Sequence, residues 1–176
     1  VVNEYLNDCE IISEGKVKIV PAMQDLETIV IDGIKLEAFT TSGGLGTMCE
    51  TYKGLVDSLN YKTMRYPGHL KMIKFFFHEL LMKEDRKHAG EILVHAKPPV
   101  NDDVVYVHAA VEGWKDNSGK EEFCRDEFVR AYYPKKIAGH KWRAISWTTA
   151  ASIVAVVELV AKGKLPNKGF LNQEEI

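Results

Sequence analysis

Glu27-Thr28-Ile29-Val30-Ile31-Asp32-Gly33-Ile34-Lys35-Leu36-Glu37-Ala38-Phe39-Thr40 sets two β-prone runs on either side of a two-residue Asp-Gly break. A type I′ turn needs positive φ at both central residues, and Asp-Gly supplies them, so residues 27–31 and 34–40 are expected to form an antiparallel hairpin. Just upstream, runs 10–13 and 16–20 flank Glu14-Gly15 in the same manner. The first forty residues therefore read as antiparallel sheet.

Working outward, residues 47–53 suit a short helix ended by Gly54, and residues 59–66 suit a strand stopped by Pro67. Proline costs nothing in the first turn of a helix, and Leu70, Ile73, Phe77, Leu80 and Leu81 recur on one face, so a helix is expected from Pro67. A second helix, about 84–95, carries Ala89, Ile92 and Leu93 and ends before Pro98-Pro99. Strands over 104–113 and 121–133 flank the polar turn Lys115-Asp116-Asn117-Ser118-Gly119, and a further pairing spans 137–145 around Gly139. A third helix should start at Thr148 or Thr149, both good N-caps, and stop at Gly163. It is apolar nearly all round, which predicts burial on more than one face, inside this domain or against another. Residues 163–176 read as an exposed tail. Hairpins plus three helices make an α+β fold.

Composition narrows the function classes. At 176 residues, the chain is expected to form one domain, residues 1–176. Its formal net charge of -2, with acids and lysines interspersed, gives no electrostatic reason for a nucleic-acid or anionic-membrane partner. The apolar run 150–160, broken by Ser152 and Glu158, falls short of the roughly 20 residues of a membrane helix, so no span is expected. Val1-Val2-Asn3-Glu4-Tyr5 has no initiating methionine and no signal-peptide pattern, which suggests a start inside a larger polypeptide. Cys9, Cys49 and Cys124 are an odd set without paired spacing, as suits a reducing cytoplasm.

The polar, glycine-rich segment 40–69 is the candidate site, because function concentrates in such connections. Gly44-Leu45-Gly46 lacks the third glycine, the preceding parallel strand and the following acid of a dinucleotide fingerprint. It reads either as a turn that lets backbone approach something closely or as a direct ligand contact. Arg65-Tyr66-Pro67-Gly68-His69 puts a guanidinium, a phenol and an imidazole at a strand-to-helix junction, where a carboxylate can be gripped by two parallel hydrogen bonds. The bland alternative pairs Arg65 with Glu50 or Asp57 and packs His69 on Phe75-Phe76-Phe77. His78-Glu79 is followed by Met82 where a zinc-protease helix needs histidine, so no metal is expected. Cys49 reads either as a reactive thiol, for which it has no local catalytic signature, or as a buried small hydrophobe, which is the expectation. Trp147-Thr148-Thr149, at a helix start, offers hydroxyls and N–H groups to an anion, or simply caps the helix.

Together, Glu37-Ala38-Phe39-Thr40-Thr41-Ser42-Gly43-Gly44, Tyr61-Lys62-Thr63-Met64-Arg65-Tyr66-Pro67-Gly68-His69, Trp147-Thr148-Thr149-Ala150-Ala151, Gly163-Lys164-Leu165 and Gly169-Phe170 resemble the saccharopine dehydrogenase family. The resemblance is to its C-terminal, substrate-binding and dimerising domain and spans essentially the whole chain. It implies a two-layer fold with a mixed, largely antiparallel sheet and helices on one face, in a homodimer. It also implies an NAD- or NADP-dependent oxidoreductase acting at a carbon–nitrogen bond of an amino acid, with the cofactor held by a preceding Rossmann domain absent from this chain. By the same resemblance Arg65, with Tyr66 and His69, lies at the substrate or braces its wall. Gly43 and Gly44 let backbone approach the cleft, Asn3 and Glu4 stand beside the pocket, and Trp147, Thr148 and Thr149 face the cofactor domain. No general acid or base is assigned, and the chain alone is expected to be inactive. The competing expectation is a stand-alone binding or dimerisation module that kept the fold without the chemistry.

Overall fold

A computed structural model of the chain describes residues 2–166 and 168–176. It divides into two compact units, Val1–Pro99 with Lys168–Ile176, and Val100–Asn167.

The first unit opens with a helix absent from the sequence expectation, α1 (Val2–Leu6), then β1 (Cys9–Ser13) and β2 (Lys16–Val20). The hairpin β3 (Glu27–Ile31) and β4 (Ile34–Thr40) follows as expected, with Ile31 opposite Ile34. Asp32 and Gly33 take φ values of 51° and 76°, which is the geometry that selected an Asp-Gly pair. After the short α2 (Met48–Tyr52), the strand expected over 59–66 divides in two. β5 (Ser58–Leu59) pairs with β1, whereas β6 (Lys62–Arg65) pairs with β4. Asn60 and Tyr61 make the break, so one β-prone run serves two sheets, with orders β2-β1-β5 and β3-β4-β6.

Pro67 does not open the next helix. Gly68, at φ 91°, is the N-cap of α3 (His69–Lys74), which loosens into a π turn at Phe75–Glu79. A 3-10 turn, Met82–Glu84, leads to α4 (Arg86–Ala96), capped by the Asp85 carboxylate on the His88 N–H at 3.0 Å. Leu70, Ile73 and Phe77 are buried with Tyr5, Phe39 and Ala89 in one core, and each large side chain withdrawn from water contributes about 1.5–3 kcal/mol. The helical spacing located the inner face at Leu70, Ile73 and Phe77, but Leu80 and Leu81, expected on the same face, lie past the π turn and are each 53% exposed.

The second unit carries the long hairpin β7 (Val105–Asn117) and β8 (Lys120–Tyr132), then β9 (Lys135–Ile137), β10 (His140–Trp142) and α5 (Ala144–Ala161). The hairpin is tighter than expected. Lys115 to Asn117 belong to β7, and only Ser118 and Gly119, at φ 58° and 86°, form the turn. Every strand pairing among the described residues is antiparallel, and strands and helices together give an α+β fold.

Two expectations about α5 fail. It begins at Ala144 rather than at Thr148 or Thr149. Nor is it buried on several faces: only Ala144 is buried, while Ile153 and Val157 are 64% and 61% exposed. By length and composition alone its 18 residues, with a mean hydropathy of 1.7, suffice to cross a membrane, which the run 150–160 does not. An all-round apolar surface needs partners on several sides, and the described chain covers almost none of it.

Candidate functional site

The candidate site in the first unit is organised by a residue that sequence patterning passed over. Tyr5 lies in α1 and is 2% exposed. Arg86 of α4 donates through one terminal nitrogen to both Asn3 Oδ1 (3.0 Å) and Asn7 Oδ1 (2.7 Å), pinning α1 from one side. On another, the Ser42 N–H donates to the Glu4 carbonyl at 3.0 Å, so Asn3 and Glu4 lie against the start of the glycine loop.

Thus fixed, the Tyr5 hydroxyl accepts from Arg65 Nε at 2.9 Å and lies 3.2 Å from His69 Nε2. A guanidinium can only donate, so the phenolic hydrogen is free to go to His69 Nε2 when the imidazole proton stands on Nδ1. Burial, helped by the Arg65 charge and opposed by Glu37, pushes the His69 pKa down, consistent with a neutral acceptor. Burial also raises the Tyr5 pKa, and Arg65 partly offsets it. The His69 ring stacks on Phe39 at 6.4 Å between centroids rather than on the phenylalanine run after α3.

Arg65 pairs with neither Glu50 nor Asp57. Beyond Tyr5, its Nη1 donates to the Met64 carbonyl at 2.8 Å, and Nη2 has no partner among the described residues. Directly across the β4–β6 ladder stands Glu37, 9% exposed. Its carboxylate accepts the Gly68 N–H at 2.8 Å and the Leu70 N–H, so a strand residue caps α3. A charge inside Leu36-Glu37-Ala38-Phe39 was the sequence signal for this role, since an acid on a buried face needs partners. Tyr66, by contrast, is 64% exposed.

The glycines divide. Gly43 has φ 84° and open space where a Cβ would stand. At Gly44 a Cβ would sit 2.1 Å from Tyr61 Cγ, so this position admits the Tyr61 ring against the backbone. The close approach expected there is made by a side chain of the same chain. Further along the loop, Thr47 and Thr51 donate to the Glu174 carboxylate, so the expected exposed tail is tied to α2. Cys49 is 1% exposed and its thiol pKa is raised by burial, which suits an inert core residue.

Trp147, Thr148 and Thr149 belong to the second unit and lie inside α5. Asp103 receives the helix-start N–H groups, Ala144 at 2.6 Å and Ile145 at 2.9 Å. The two threonine hydroxyls donate back to Ala144 O (2.8 Å) and Ile145 O (2.7 Å). Neither caps the helix, so the N-cap expectation is corrected. Trp147 Nε1 donates to the Tyr133 carbonyl at 2.9 Å. Among the described residues, no three His, Cys, Asp or Glu side chains are grouped to hold a metal ion.

Over residues 1–176 the chain matches the family described as the saccharopine dehydrogenase C-terminal domain. It belongs to that family. The saccharopine dehydrogenase name denotes oxidoreductases, and a dehydrogenase suggests a nicotinamide dinucleotide in the complete enzyme. The glycine loop here does not fit that group. Gly44 is occupied by Tyr61, and the helix that follows, α2, has five residues and no side-chain cap.

Proposed function

We propose that this saccharopine dehydrogenase C-terminal domain is the substrate-binding and dimerising part of an NAD- or NADP-dependent oxidoreductase acting on the CH–NH bond of an amino acid of the saccharopine or lysine class. The cofactor is held by a Rossmann domain preceding this region, and the complete enzyme works as a cytoplasmic homodimer. Arg65 grips a carboxylate of the substrate, while Tyr5 and His69 hold the guanidinium in place.

The observation that supports this reading is the half-committed Arg65 side chain. Nε is taken by a buried phenol and Nη1 by a carbonyl, while Nη2 makes no bond among the described residues. A guanidinium held on one side keeps little conformational freedom to lose on binding, which favours orientation of a carboxylate. The glycine loop does not fit the dinucleotide, which supports a division of labour in which this chain alone transfers no hydride.

The test uses the full-length enzyme, with saccharopine, lysine and carboxynorspermidine each offered with NAD and NADP. Arg65→Ala raises KM for the accepted substrate by about 10- to 100-fold, the worth of one charge-assisted pair, without changing cofactor affinity. Wild-type substrate affinity in Arg65→Ala refutes the role of Arg65. Hydride transfer from NADPH by the isolated chain refutes the division of labour.

A further inference from the structure

The first unit has a concavity of about 240 Å³ whose wall includes Tyr5, Ala22 and Met23 but not Arg65, Tyr66 or His69. Three basic residues line it, His78, Lys83 and Arg86, each from a different short element. His78 rides on the π turn that ends α3, Lys83 on the 3-10 turn, and Arg86 begins α4. Between the first two, Leu81 takes φ 55°, reversing the chain so that both turns border one cleft. A π turn inside a helix is uncommon and often accompanies a functional site.

The charges are largely unanswered. His78 and Lys83 make no hydrogen bond or ion pair among the described residues, although Glu79 and Glu84 adjoin them in sequence. Arg86 donates to Asn3 and Asn7, which are neutral amides, so its guanidinium is oriented without being neutralised. Against these stands one lining carboxylate, Asp8. All three residues are exposed, so they line the rim of an open cleft, and two cations and an imidazole grouped there attract an anion more strongly than cations spread singly over the surface. The volume is below the roughly 300–1,000 Å³ of drug-sized sites, so a small ligand fits.

We infer that this cleft binds a small oxyanion, a phosphate or carboxylate group on a compact organic body, with Lys83, Arg86 and His78 on the anion and Tyr5, Ala22 and Met23 against the remainder. The inference stands independently of the role proposed for Arg65.

Calorimetric titration of the chain at low ionic strength, with inorganic phosphate and separately with malonate, distinguishes the two anion chemistries. Saturable binding of at least one is expected, weakened about tenfold by Lys83→Gln and measurably by His78→Ala. Neither substitution removes an internal hydrogen bond. Arg86→Gln also weakens binding, but it frees Asn3 and Asn7, so the Lys83 variant decides. Lys71→Gln, an exposed lysine of α3 outside the cleft, leaves affinity unchanged. Absence of saturable binding for both anions overturns the inference. So does equal weakening by Lys71→Gln, which marks diffuse attraction.

Discussion

Arg65 Nε donates to the Tyr5 hydroxyl at 2.9 Å, joining the end of β6 to α1 across 60 positions of chain. Tyr5→Phe removes this acceptor and the donor to His69 while keeping the ring. It leaves two polar nitrogens poorly satisfied, so stability should fall by about 1–3 kcal/mol. Urea unfolding measures it, and an unchanged midpoint would show that the phenol is not structural.

His69 gives the fold a pH dependence of known sign. Its folded-state pKa is depressed, chiefly by burial, below the ordinary histidine value. The unfolded chain then binds the proton more readily, so this contribution is intact above about pH 6.5 and is lost as pH falls through the folded pKa. His69→Gln should flatten that part of the profile of unfolding midpoint against pH. Identical slopes for variant and parent between pH 7 and 5, on the order of the range in which histidine titrates, would exclude the linkage.

Gly44 and Tyr61 should be energetically coupled. A Cβ at Gly44 meets the Tyr61 ring, so Gly44→Ala should cost about 1–3 kcal/mol, and Tyr61→Ala in the same chain should recover part of it. Gly43→Ala meets open space but sits at φ 84°, so its cost of about 1 kcal/mol should not respond to Tyr61. A double-mutant cycle separates the two. Additive effects at Gly44 and Tyr61 would rule out the contact.

Asp103 should carry the start of α5. Asp103→Ala removes the acceptor for the Ala144 and Ile145 N–H groups and should cost about 1 kcal/mol, with loss of helical circular dichroism. Thr148→Val and Thr149→Val should change helix content little, since those hydroxyls only bond back within the helix. The reverse ranking would restore the threonines as the cap.

The amino-acid sequence by itself determined the local structure wherever neighbouring residues decide conformation. Asp32-Gly33 and Glu14-Gly15 dictate tight turns through positive φ, and alternation and helical spacing mark β1 to β4 and the inner face of α3. Arg65 and His69 were legible as polar groups beside such elements. Tertiary structure alone decided what they do. The phenol that holds Arg65, the strand carboxylate that caps α3, the ring that fills Gly44, the tail carboxylate on Thr47 and the aspartate that starts α5 all come from distant chain. No periodicity records such pairings, because a buried polar group is satisfied by whatever the completed fold brings within about 3 Å of it.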